Sequence, residues 1–322
     1  MMALQMCRKI KNKMYDEEII NGKVHSVFKT ACNIITTDDE LISILTCEKF
    51  ISPMSVVVGT RKKFAQLGIK QNLPVRIIKK HILFKEINLD IDLSKTKIWD
   101  FKPNFNYIKD TEENIINKLR YIEEYMYRYG NSDGISNIVF CLGNYVEELK
   151  TYENNDISLN QYSKFIIHRI TKFLKLCMDD DRENISEAAK KIIGFGPGLT
   201  PSADDFIVGL MTSFIYLSDY FGLDILKVYE FNKEIVKDIR NRTTLVSEKM
   251  LMFASVGEVS EGIKRLMKSF LSISEEKEFI NSLIDVLNFG GTSGTDILSG
   301  IYVGSKIIVR KNVFRGMMEG ES

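Results

Sequence analysis

The chain has little of what staples, breaks or spans. Its 322 residues include five cysteines (Cys7, Cys32, Cys47, Cys141 and Cys177), scattered, with no CxxC pair. That spacing excludes a disulfide framework or a zinc ribbon and fits a reducing compartment. There are five prolines, and none follows Pro201, so the later helices run unbroken. The three histidines, His25, His81 and His168, lie far apart without metal-ligand spacing. No metal site is expected from them, no cofactor motif is visible, and no hydrolytic triad can be read from the sequence. No apolar run approaches the ~18 residues of a spanning helix. The longest, Phe206 to Leu217, is interrupted by Gly209, Thr212 and Ser213 and reads as a buried helix. The first residues carry no apolar core and no small-residue cleavage site, so a signal peptide is not expected and a cytoplasmic protein is. Lys and Arg (44) nearly balance Asp and Glu (43), a net charge of +1 that lacks the basic excess of a nucleic-acid binder.

What is present is a globular composition, 44% hydrophobic and 27% charged, in a chain long enough for two domains. Residues 1–20 read as a short amphipathic helix through Met6, Ile10, Met14 and Ile19. From Gly22 to Trp99 the texture is β-like. Short runs at Val24–Thr30, Ile34–Thr37, Leu41–Leu45, Ser55–Val58, Val75–Ile78, His81–Ile87 and Leu89–Leu93 predict a small barrel or sandwich. Thr111-Glu112-Glu113 then opens a helical pattern (Ile115, Leu119, Ile122, Met126) closed by Gly130. Residues 135–157 are ambiguous, helical periodicity resumes over Leu159–Met178, and five to seven further helices are predicted from Glu183 onward. The expected fold is α+β: a β-rich N-terminal domain over 1–105 and a mainly helical domain over 106–322.

The most informative stretch is Gly194-Phe195-Gly196-Pro197-Gly198-Leu199-Thr200-Pro201-Ser202-Ala203-Asp204-Asp205. Three glycines in five residues allow backbone angles closed to other residues and close approach of a ligand. Thr200 is the expected N-cap with Pro201 at the first helical position, and Ser202 and Asp205 keep capping-pair spacing. A helix start suits an anion, so the stretch reads as a phosphate or carboxylate cradle or as a rigid, well-capped turn. No Gly-Lys-Ser/Thr follows, so it is not a nucleotide loop. A second stretch, Phe289-Gly290-Gly291-Thr292-Ser293-Gly294-Thr295-Asp296-Ile297-Leu298-Ser299-Gly300, echoes it. Both carry Phe-Gly and then Ser-x-x-Asp-x-x-x-Gly, with each glycine one helical turn past its aspartate. Two such helix starts facing each other would share one anion; the other reading is the residue of a duplication. Arg240-Asn241-Arg242-Thr243-Thr244, with Ser247, supplies guanidinium forks for an anion or a solvated helix end. Asp204, Asp205 and Asp296 would repel a phosphate they faced. They cap their helices, accept from a substrate amide or hold a cation.

These residues carry a resemblance. Gly196 to Asp205, Arg242-Thr243-Thr244 with Ser247, Thr292 to Asp296 with Gly300, and His25-Ser26-Val27-Phe28 with Asn33 resemble segments of the AllH-like family, with Ala203 standing where glycine is expected. The family is associated with the oxamate carbamoyltransferase of anaerobic allantoin and purine degradation. The resemblance implies a subunit of a multi-protein enzyme with FdrA-like and AllG-like partners. The implied reaction moves a carbamoyl group between carbamoyl phosphate and oxamate; in reverse, oxalurate is split by phosphate. On this reading Gly196, Gly198, Thr200 and Ser202 surround phosphate, Ser293 and Thr295 stand opposite, and Thr243 and Thr244 assist. Arg242 meets a substrate anion, and Asp205 and Asp296 orient the loops or the amide; Arg242, Asp205 and Asp296 are the candidates for catalytic roles. The alternative is a noncatalytic assembly or regulatory subunit whose turns bind a small anion or partner chains; an independent phosphotransferase lacks a nucleotide loop.

Overall fold

A computed structural model describes residues 1–148 and 159–320. They form two compact units, Met1–Lys102 with Val259–Glu261, and Pro103–Glu258 with Gly262–Ser322.

The first unit is one nine-stranded sheet in the order β8-β7-β6-β2-β3-β4-β5-β1-β9. Its strands are β1 (Ala3–Cys7), β2 (Ile19–Val27), β3 (Ala31–Thr36), β4 (Leu41–Thr46), β5 (Ser55–Val58), β6 (Pro74–Ile78), β7 (His81–Phe84), β8 (Leu89–Asp92) and β9 (Lys97–Trp99). From β8 to β4 the neighbours are antiparallel; β4–β5 and β1–β9 are parallel. The sheet curls into a half-barrel, and Met2 bridges Asp92 while the Asp92 N–H donates to the Met1 carbonyl at 2.8 Å. Alternate residues on β6 and β7, Val75, Ile77, Ile82 and Phe84, are buried, the period expected of a sheet with one face in a core, while β5 is buried throughout. The β-rich reading of this region holds.

Its first twenty residues do not form one helix. Ala3–Cys7 is a strand, the helix α1 covers only Arg8–Asp16, and Ile19 opens β2. The four-residue spacing of Met6, Ile10 and Met14 suits a helix. Residues 3–7, however, find hydrogen-bonding strands on both sides, β5 and β9, and that pairing overrides the local pattern. The run His81–Ile87 also stops short, at Phe84, where a 3-10 turn takes over.

The second unit is helical. Thr111 caps α2 (Glu112–Tyr129) by accepting from the Asn114 N–H, and the Gly130 N–H closes it on Met126. Of the ambiguous stretch 135–157, Val139–Glu148 forms α3, and residues 149–157 lie outside the described residues. Then come α4 (Gln161–Asp179), α5 (Ile185–Ala189), α6 (Ser202–Tyr220), α7 (Ile225–Ile235), α8 (Leu245–Ala254), α9 (Glu261–Leu271), α10 (Glu276–Leu287) and α11 (Ser293–Gly320). Among the described residues, no helix is long and apolar enough to cross a membrane.

The axis of this unit is α6, buried on every side from Ser202 to Ser218. It packs backbone to backbone on α11. A Cβ on Gly209 would lie 2.0 Å from the Ile297 carbonyl oxygen, and one on Gly300 would lie 1.9 Å from that of Phe206. The two glycines of the sequence repeat thus sit at one reciprocal crossing. That crossing brings the two N-termini, and the glycine turns ahead of them, to the same place.

Candidate functional site at two converging glycine turns

The two turns meet through a hydrogen bond between the Thr200 and Ser293 hydroxyls, at 3.0 Å. They are built alike. In each, the second N–H of the helix donates to the phenylalanine carbonyl of the Phe-Gly pair: Ala203 to Phe195 and Gly294 to Phe289, both at 3.0 Å. Glycine is required at Gly196. Its φ is +121°, and a Cβ there would come 2.6 Å from the Ser202 nitrogen.

The cap differs from the sequence expectation. Pro201, with φ −55° and ψ 143°, takes the N-cap place and α6 begins at Ser202. The Pro201 carbonyl receives the N–H groups of Asp204 (2.9 Å) and Asp205 (3.1 Å). Thr200 is therefore outside the helix, free to reach Ser293, and Ser202 and Asp205 are not a capping pair. Because Ala203, Asp204 and Asp205 already donate within the protein, an anion would depend on the backbone of residues 196–199 and on nearby hydroxyls. Gly196 is half-buried, Gly198 and Gly291 are open, and Thr200, Thr292 and Ser293 are partly exposed.

Behind the turns lie three carboxyls. Asp204 is a fastener. Its Oδ1 accepts from the Gly194 N–H (2.7 Å), and its Oδ2 accepts from the Ser247 hydroxyl (2.6 Å) and from that of Thr243. Burial raises its pKa; these three donors pull it back only in part. Asp204→Ala leaves three donors without a partner and should cost about 2 kcal/mol or more, a fall of about 4–8 °C in the thermal midpoint. Asp204→Asn, which keeps an acceptor for Gly194, should lose less. Equal midpoints for the two variants would contradict the fastening role.

Asp205 and Asp296, 1% and 0% exposed, are the repeat-related pair. Burial lifts Asp205 well above the usual carboxylate range. The Ser293 hydroxyl opposes this, the Asp296 charge adds to it, Thr200 opposes and Asp204 adds. Burial also pushes Asp296 up, to about 6, against the hydroxyls of Ser202 and Thr292 and the N–H groups of Ile135 and Ser136. The relation is crossed: Asp205 faces the serine of the other helix, and Asp296 faces Ser202. Ser202 Oγ, Asp205 Oδ2 and Asp296 Oδ2 are buried without a hydrogen bond of ordinary geometry.

The remaining residues fall into place around this centre. Thr244 caps α8, accepting from the Ser247 N–H at 3.1 Å, and its hydroxyl donates to the Leu199 carbonyl, tying α8 to the first turn. Arg242 is exposed, with its carbonyl oxygen so close to Gly194 that a Cβ there would lie 2.2 Å away. Thr295 is turned from the centre: its buried hydroxyl accepts from the Asn131 N–H at 2.9 Å. The segment Asn131–Ser136 is a third wall. Ile135 N–H donates to Asp296 Oδ1 (3.1 Å), Asn131 Nδ2 to the Gly291 carbonyl (3.3 Å), and Gly134 rests against the Asp296 carboxyl. The one signal for it was Asn-Ser-Asp-Gly, which any exposed turn shares.

In the first unit, His25 and Asn33 join one polar row. The β2–β3 register shifts between Val24 and Ser26, a bulge of the kind that re-aims a side chain. His25 Nδ1 lies 3.2 Å from Ser26 Oγ, Asn33 donates to Ser26 Oγ (3.0 Å), and Ser43 donates to Asn33 (2.8 Å).

No solved structure matches the chain. Residues 2–98 match the AllH family N-terminal domain, and residues 192–305, which contain both glycine turns and the α6–α11 crossing, match oxamate carbamoyltransferase subunit AllH. The chain therefore belongs to the AllH family of oxamate carbamoyltransferase subunits.

Proposed function

We propose that this subunit works in the cytoplasm with FdrA-like and AllG-like partners, and that its paired turns grip the anionic parts of carbamoyl phosphate and oxamate during carbamoyl transfer. The observation that supports this reading is the contact between Thr200 and Ser293, which closes two glycine turns around one set of hydroxyls. Both substrates are small anions that need N–H groups, hydroxyls and a guanidinium fork, and Arg242 stands exposed beside the first turn. Holding both in line lowers the barrier without a covalent nucleophile. Donors aimed at the oxygen of the attacked carbamoyl carbon add a few kcal/mol.

In the reconstituted complex, Thr200→Ala and Arg242→Ala should each lower oxalurate phosphorolysis at least tenfold, about 1.4 kcal/mol of transition-state stabilisation, with assembly intact by gel filtration. Carbamoyl phosphate should also raise the melting temperature of the isolated chain. Unchanged turnover in both variants, with no thermal shift at millimolar ligand, would leave an assembly or regulatory subunit as the better description.

A further inference from the structure

We propose that Asp205 holds the proton that carbamoyl transfer must move, and that the Thr200 and Ser293 hydroxyls are its relay to the substrates. The proposal rests on the reading of the turns as the substrate site and deepens it. When the bond forms between the oxamate nitrogen and the carbamoyl carbon, that nitrogen loses a proton. When the carbamoyl C–O bond breaks, the departing phosphate oxygen takes one. The exchange balances with no further reactant, but it needs a group that gives a proton on one side and receives one on the other.

Asp205 fits because its environment differs from those of its neighbours. Asp204 is fully engaged by Gly194, Thr243 and Ser247. Asp296 faces two hydroxyls and two N–H groups and pins the 131–136 wall. Asp205 faces the hydroxyls of Ser293 and Thr200, the two that meet at the turns; its Oδ2, like that of Asp296, has no hydrogen bond although the residue is 1% exposed. Solvent cannot exchange its proton directly. The two hydroxyls touch each other and are themselves partly exposed at the turns. They are the route from the carboxyl to whatever the turns hold. The ionisable groups that act most on Asp205 are Asp296, from α11, and Asp204, on its own helix; both favour the neutral acid. The proposed cycle starts from the protonated acid. Its proton passes through a hydroxyl to the oxygen leaving with phosphate. The carboxylate left behind takes back, through the hydroxyls, the proton shed by nitrogen. Oxalurate phosphorolysis runs the same relay in reverse.

The test uses the reconstituted complex. Wild-type kcat should fall on the alkaline side as the acid is lost. Asp205→Asn should cut kcat at least 100-fold, abolish that alkaline limb and leave the Kd for carbamoyl phosphate within about twofold. Asp205→Glu should restore part of kcat together with the limb. Ser293→Ala should keep the limb but change the solvent deuterium isotope effect on kcat. An Asp205→Asn enzyme with the wild-type pH profile overturns the relay, as does an unchanged isotope effect in Ser293→Ala. If Thr200→Ala with Ser293→Ala leaves carbamoyl phosphate binding intact, the site reading itself fails, and the relay with it.

Discussion

Gly300→Ala should lower the thermal midpoint of the helical unit by about 6–12 °C, the equivalent of roughly 3 kcal/mol at this size. The added methyl would meet the Phe206 carbonyl oxygen at 1.9 Å and the Leu210 nitrogen at 2.8 Å. Both obstacles are backbone atoms of a helix buried on all sides, so no flexible side-chain end can yield. The reciprocal change, Gly209→Ala, meets Ile297 O at 2.0 Å and Ile301 N at 2.9 Å and should cost as much. One turn further on, a Cβ at Gly304 would come 2.0 Å from Ser213 Oγ, so the contact is a ridge of small residues on both helices. Gly291→Ala is the control: nothing lies within 4 Å of its added carbon, and the midpoint should not move. Because the crossing sets the distance between the helix starts, Gly300→Ala should also part Thr200 from Ser293 and depress turnover even in protein that remains folded. Midpoints within about 2 °C of wild type for both helix variants would mean that the helices slide apart at little cost.

The repeat that produces this crossing was legible in the sequence. Ser-x-x-Asp-x-x-x-Gly occurs twice, and its period places serine, aspartate and glycine along one side of a helix. What the pattern could not express was the crossed arrangement, in which each aspartate faces the serine of the other copy. Nor could it show that Asp204, one residue from the repeat, fastens the first turn to α8. Pro201 misled for a definable reason. Proline is common at the first helical position, but here its extended ψ puts it just outside the helix and releases Thr200 toward Ser293. In the sheet, strands with alternating burial were readable. Strand β1 was not, because its reason for being a strand is the pair of partners contributed by residues 55–58 and 97–99.

A second large effect was also hidden from the pattern. Lys118→Met should destabilise the helical unit by about 3–5 kcal/mol, roughly 6–20 °C in thermal midpoint. The apolar stripe of α2, Ile115, Leu119, Ile122 and Met126, has Lys118 on it, and the lysine is only 8% exposed. Its ammonium donates to Asp110 Oδ2 (2.8 Å) and to the carbonyls of Ser269 (2.8 Å) and Ser272 (2.9 Å) at the end of α9. The favourable site for a cation at a helix C-terminus is thus filled from another helix. Asp110 in turn accepts from Thr111 N–H and Asn114 Nδ2, and its own carbonyl receives the Tyr220 hydroxyl. Removing the ammonium leaves the Asp110 carboxylate without its counter-charge and the Ser272 carbonyl without this donor, while the Ser269 carbonyl keeps only the Ser274 hydroxyl (2.9 Å). Burial alone would raise the Asp110 pKa; Lys118, Asn114 and Thr111 outweigh it and hold it below the usual value. That sign fixes the pH dependence. The pair contributes above the ordinary aspartate pKa and fades as pH falls through the lowered one. The gap between wild type and Lys118→Met should therefore be widest near neutrality and narrow toward pH ~3. Asp110→Asn combined with Lys118→Met should cost less than the two changes summed, since the second removes a partner already lost. A gap that stays constant from neutral to acid pH, or costs that simply add, would show that Lys118 stabilises the unit by packing its methylene stem and not through its charge.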